Sequence, residues 1–262
     1  MATVLNVLNG IVKTPTAGVL WGAAPIDWCE ENLPETNPLS IAEFHNTWTN
    51  IFYIISGLLL LRSHLRLHSD IRDPLFAFFI FNIIMTGVTS AWFHSTLLFL
   101  AQKSDEFFEN AAMVSLLYYH VFPLGSSSKI IKYRGACCVV HTLLLGVGIL
   151  CIPDLFCEIH LITTVLITFK TGYIRTESLP PHTRSKALNL FSSSFVSVGV
   201  AFFCWLLDFL LCIYFSPFYL HAFVWHLGTS ISLYYGGEAS LLIREKYIKI
   251  EEKEKNSKEK SY

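Results

Sequence analysis

Seven apolar runs recur along almost the whole chain, at residues 43–63, 74–98, 106–124, 133–152, 155–174, 187–214 and 218–243. Each is near or above the ~20 residues that a helix needs to cross the hydrocarbon core of a bilayer. Backbone amides find no water there, so a spanning segment satisfies its own hydrogen bonds as a helix. The pattern predicts an all-α fold, an integral membrane bundle of seven transmembrane helices. Composition agrees, because only 15% of the 262 residues are charged, against about one quarter in a soluble domain. The first run is the least regular, with Glu43, His45, Asn46 and Asn50 at its start, and the fifth carries His160 and Lys170.

Loop charges give an orientation, since lysine and arginine collect on the cytosolic side. Arg62, Arg66 and Arg72 fall between runs one and two, Lys129, Lys132 and Arg134 between three and four, and Arg175, Arg184 and Lys186 between five and six. Only Lys13 and Lys103 lie on the opposite face. The N-terminus is therefore expected in the lumen or outside, and the C-terminus in the cytosol. Residues 1–12 lack the basic leader and small-residue cleavage site of a signal peptide. Three parts are expected: a lumenal N-terminal segment over 1–42, a bundle over 43–243 and a charged cytosolic tail over 244–262. The tail from Glu251 alternates lysine with glutamate and has no apolar face, which predicts a frayed helical extension or disorder.

Ionisable side chains inside membrane segments are costly and mark functional sites by default. His94 closes the second run four residues after Ser90, Asp105 begins the third, and His221 and His226 open the seventh. On the predicted topology all five meet at one membrane face. Three imidazoles, a carboxylate and a hydroxyl are enough for a catalytic zinc with an open water position. Each residue alone has a plainer reading. Ser90 can bond its own backbone beside a buried histidine, Asp105 can cap a helix, and His221 and His226 can join Tyr219, Phe223 and Trp225 in an interfacial belt. Together those readings need several coincidences on one face.

Five separated segments in one order resemble the alkaline ceramidases, members of a seven-span hydrolase superfamily that includes the adiponectin receptors. They are Asp27-Trp28-Cys29-Glu30-Glu31-Asn32; Ile41 to Phe44 with Asn46-Thr47; Ser90 to His94 with Asp105-Glu106; Trp205 to Asp208 with Cys212; and His221 to His226. The resemblance runs from about Trp21 to Tyr235 and implies an intramembrane amidase that cleaves the N-acyl bond of ceramide. By similarity His94, His221 and His226 would bind Zn2+, Asp105 would move the proton of the attacking water, and Ser90 would donate to the oxyanion. The resemblance also implies a Ca2+ site formed by Asp27, the backbone carbonyl of Trp28, Glu30, Asn32 and Glu43, a set of oxygen donors that suits a hard cation. It further implies a disulfide between Cys29 and Cys212. Cys151 and Cys157 flank a lumenal turn and compete for that pairing by count alone.

One departure from the family pattern matters. Four residues, Ala222 to Trp225, separate the last two histidines, where the family usually has three. On a regular helix, positions i and i+4 lie about 40° apart around the axis but i and i+5 about 140°. The spacing predicts either a π-turn that absorbs one residue or a His221 carried on a loop, or else a relative that has lost zinc. A second departure is the polar Lys103-Ser104 before Asp105, where the family is usually apolar.

The expected function is zinc-dependent, calcium-modulated hydrolysis of ceramide drawn from the membrane, with no nucleic-acid or protein partner. The alternatives are a non-catalytic seven-span lipid receptor or scaffold, and a related hydrolase acting on another lipid. Lysines three and five places from the end, Lys260 and Lys258, resemble a dilysine retrieval signal and suggest the endoplasmic reticulum or Golgi membrane.

Overall fold

A computed structural model of the chain describes residues 20–26, 28–33, 41–69, 71–122, 128–152 and 155–259. Among them the fold is helical, and the one β-type pairing is an isolated bridge between Ala23 and Leu98. Seven long helices follow the seven apolar runs: α1 (Ile51–Arg66), α2 (Pro74–Thr96), α3 (Phe99–Val121), α4 (Ser128–Cys151), α5 (Leu155–Arg175), α6 (Pro181–Leu210) and α7 (His226–Glu259). A short helix, Phe44–Thr49, leads into α1.

Packing builds outward from α2 and α3, the most closely paired helices, with α1 against α2, α4 and α5 against α3, and α7 packed on α1 and α6. Leu60, Phe76, Phe79, Ile83, Tyr119 and Ile243 fill the space between them. Close approach of α1 and α2 depends on Gly87, where a Cβ would stand 2.9 Å from the Asn50 carbonyl oxygen. The outward faces are apolar instead of polar. Leu143, Leu144 and Val147 on α4 and Val196, Val200 and Phe203 on α6 are exposed, the inverse of a water-facing surface and the normal condition of a lipid-facing one.

Three of these helices, Pro74–Thr96, Lys129–Cys151 and Pro181–Leu210, are apolar and long enough to cross a membrane by length and composition. The expectation of seven is met to that extent, and the other four fall short for identifiable reasons. Helix α1 has only 16 residues. Helix α3 carries Lys103, Asp105, Glu106 and Glu109, α5 carries Glu158 and Lys170, and α7 runs into the charged tail.

Several boundaries move. The third helix begins at Phe99, seven residues before the apolar run, because Lys103 is neutralised by Glu106 one turn on, at 2.8 Å, and lies over the Phe99 ring. That pairing accounts for the polar Lys103-Ser104. The first run splits at Asn50 into two helices. The tail is a helical extension of α7 as far as Glu259, supported by pairs such as Lys249 to Glu245 at 2.6 Å.

At its start α2 is fixed by Asp73, whose carboxylate accepts the Leu75 amide at 2.9 Å, with Pro74 in the first turn. The same carboxylate pairs with Arg134 of α4 and, at 2.9 Å, with Arg244 of α7, and all three side chains are buried. Both guanidiniums lie over the Tyr119 ring. Arg134, counted by sequence among the loop charges, is thus folded into the bundle.

Candidate metal and active site

The last turn of a helix leaves carbonyls without an intrahelical partner, and in α2 the N-terminal segment supplies two. The His94 carbonyl accepts the Glu43 amide at 3.0 Å and the Ser95 carbonyl accepts the Ala42 amide at 3.0 Å. Leu97 then turns the chain in the left-handed region, φ 49°, and α3 starts at once. These backbone bonds bring the Glu43 carboxylate against the His94 ring, with Oε2 2.5 Å from Nδ1. Glu43 is fully buried. Its oxygens also accept the Trp28 amide at 3.3 Å and the Asn46 side-chain amide at 3.0 Å. A carboxylate on Nδ1 holds the proton there and leaves Nε2 as a ligand atom.

His226 is fixed by the same logic. Its Nδ1 lies 2.8 Å from the Thr49 hydroxyl, and that hydroxyl donates to the His45 carbonyl at 2.7 Å. The hydroxyl therefore accepts from Nδ1–H, which again frees Nε2. His221 lies beneath Trp28, with ring centroids 4.0 Å apart, and its buried Nδ1 has no hydrogen-bond partner among the described residues.

The spacing of the last two histidines is resolved by a π-turn over His221–Trp225, in which the His226 amide bonds the His221 carbonyl five residues back. The turn absorbs the extra residue and brings the two ring centroids to 4.9 Å. Of the predicted arrangements this is the first, and His221 is not carried on a loop. One nitrogen from each of His94, His221 and His226 lies within 4.8 Å of the others, and all three residues are buried. A buried set of three imidazoles, two already tautomerically fixed, fits a divalent metal ion with a position left open.

Ser90, one turn before His94 on α2, lies close to Asp105 of α3. Both line a small polar cavity together with His94, His221, Trp28 and Trp205. Asp105 does not cap its helix, because the N-cap is Leu98 and Asp105 lies in the second turn. Behind this cavity a second one, with an empty volume of about 680 Å³, is lined by apolar side chains including Met113, Leu116, Leu161, Phe169 and Phe191. Tyr53, Thr86, Glu109 and Trp225 line both cavities.

Of the residues expected to hold calcium, Glu30 uses its two oxygens to accept the His45 and Asn46 amides at 2.6 and 2.7 Å. It thereby supports the first turn of the short helix that carries Thr49. Glu43 lies against Trp28 and His94 as described, Asn32 lies in the same segment, and Asp27 falls outside the described residues. Cys29 is bonded to Cys212, which ties this segment to the chain just beyond α6, while Cys151 and Cys157 are free. Sequence reading missed Thr49, Asn46 and Glu109. Thr49 gave no local signal, since its role depends on a contact 177 residues away.

Apolar outward faces around a buried cluster of three imidazoles, a carboxyl and a hydroxyl define a membrane enzyme of hydrolytic type. The chain belongs to the ceramidase family, whose family model, described as Ceramidase, matches residues 22–262. It is 30% identical over 240 residues to alkaline ceramidase 1 of Homo sapiens, covering 86% of this chain and 84% of that one. It is 26% identical to alkaline ceramidase 1 of Mus musculus, covering 86% and 82%. Against the alkaline ceramidase of Drosophila melanogaster identity is 25%, covering 81% and 75%.

Proposed function

We propose that the chain cleaves the N-acyl amide bond of ceramide at a zinc ion held by His94, His221 and His226, releasing a sphingoid base and a fatty acid. The observation that carries this reading is the convergence of three buried imidazole nitrogens, with the His94 and His221 rings lining the cavity that also holds Ser90 and Asp105. Membership of the ceramidase family supplies the substrate class. An amide resists attack by neutral water, and zinc, when bound, lowers the pKa of its water toward ~7 and polarises the carbonyl. Asp105 accepts the proton of the attacking water and returns it to the leaving amine. Ser90 donates its hydroxyl to the carbonyl oxygen as negative charge develops there. The apolar cavity behind the site takes a hydrocarbon chain and keeps it from water.

Calcium modulation belongs to the same reading. Trp28, Glu30, Asn32, Glu43 and Asp27 form its oxygen donor set, and a cation there competes with the amides that Glu30 and Glu43 now accept. The chain is read as spanning the membrane of the endoplasmic reticulum or Golgi seven times, with the site on the lumenal side and the tail in the cytosol.

The test is metal analysis of the purified full chain in detergent, combined with release of sphingoid base from ceramide at neutral to alkaline pH. About one zinc per chain with turnover is the expected result. Neither zinc nor turnover would leave a lipid-binding protein, and turnover of ester lipids but not ceramide would reassign the substrate.

A further inference from the structure

Glu109 stands where the polar and apolar cavities meet, and no step of the proposed reaction uses it. It lies four residues after Asp105 on α3, hence on the same helix face and about 6 Å further along the axis. The charged neighbours that act on it are Asp105 and Glu106, both of its own sign, Tyr53 is close by, and its carboxylate takes part in no hydrogen bond among the described residues. A carboxyl placed in a largely apolar enclosure without a donor is costly.

The hydroxyls beside it are committed elsewhere. Thr86 donates to the Asn82 carbonyl at 2.9 Å. Thr229 donates to the Trp225 carbonyl at 2.5 Å, so the Tyr53 hydroxyl, 2.6 Å from Thr229, is the donor in that pair. The junction therefore offers an acceptor, and the hydroxyls of Thr86, Thr229 and Tyr53 donate elsewhere. The missing donor is one that arrives with the substrate.

We infer that Glu109 is a specificity-determining residue whose carboxylate accepts a hydrogen bond from a substrate hydroxyl close to the scissile amide, so that ceramides are selected over amide lipids without hydroxyls. The inference rests on the ceramidase reading above. A chain leaving the reacting carbonyl beside Asp105 for the apolar cavity passes Glu109 within its first few carbons. A hydroxyl there meets the carboxylate, whereas a bare methylene leaves that group desolvated and unpaired. Sites built to bond a substrate hydroxyl discriminate strongly against analogues lacking it.

The experiment compares kcat/KM for a C16 ceramide and for N-hexadecanoyl octadecylamine, which keeps the amide and both chains but has no hydroxyl, using the full chain in detergent. The unaltered protein should favour the ceramide by about 100-fold or more. Glu109→Leu should bring that ratio below about 5-fold, by slowing the ceramide and not the plain amide, consistent with loss of one buried hydrogen bond. Glu109→Gln keeps an acceptor oxygen and should give an intermediate ratio, and it carries the test if the leucine variant does not fold. A ratio unchanged in these variants, even with both lipids slowed, would overturn the inference and leave Glu109 a packing role. So would an unaltered protein that does not discriminate. Turnover of neither lipid by the unaltered protein would instead overturn the ceramidase reading and this inference with it.

Discussion

The two ends of α2 each carry a buried cluster of ionisable side chains, separated by a 23-residue helix of about 34 Å. At the Asp73 end opposite charges meet, with one carboxylate between two guanidiniums. At the His94 end, like groups meet instead, with three imidazole ring centroids 4.9 to 5.3 Å apart. The first cluster pairs opposite charges within the chain and joins α2, α4 and α7. The second is held in place by outer partners, Glu43 and Thr49, but its inner nitrogens face one another. Burial alone therefore does not distinguish the two clusters; what distinguishes them is that ion pairs of opposite sign form in the first, while three like imidazoles are gathered in the second.

The contrast can be broken at either end. His226→Ala removes one of the three imidazoles proposed to hold zinc, so zinc and turnover should disappear together. The loss should exceed the about 10–100-fold typical of an outer partner, as read by metal analysis and sphingoid-base release. Zinc retained at one per chain in that variant would mean the donor set is wrong. Asp73→Ala leaves two guanidiniums buried without their counter-charge and should cost about 3–5 kcal/mol of stability. Unfolding in detergent should register that cost, while zinc per folded chain stays unchanged. Should zinc fall with Asp73, the two ends are not independent. Glu43→Gln sharpens the contrast from the inside. It weakens the grip on His94 Nδ1 without deleting a ligand, so zinc affinity or turnover should fall about 10–100-fold. A change in calcium response without any change in zinc affinity would assign Glu43 to the cation loop alone.

Much of this was legible in the sequence, and what was not follows a pattern. The helices appear where apolar runs occur because a hydrophobic exterior is written continuously along the chain. His94, Asp105, His221 and His226 stand out because ionisable groups are rare in such runs, and Ser90 because it lies one helical turn before His94. The start of α3 was not legible, since the Lys103 to Glu106 pair hides charge that composition counts as loop. Nor was Thr49, a residue type common in any helix, whose importance comes wholly from His226 across the bundle. Arg134 misled in the opposite sense, because a basic residue near a helix end signals topology whether it faces water or, as here, a buried aspartate. The His221 to His226 spacing was informative in a different way: the residue count posed a geometric problem with few solutions, one of which the backbone adopts.

That π-turn carries a lesson for comparing relatives of this chain. A wide turn at the mouth of α7 lets the helix accept an inserted residue without rotating the roughly nine turns behind it, including those that pack on α6 and α1. The insertion is absorbed locally, within five residues, and the two imidazoles still face the same point. An alignment that opens a gap here would record a broken motif, while in space the motif is intact. Histidine spacing in this segment is thus a poor criterion for sorting active members from inactive ones, and the direction of the rings is the better one.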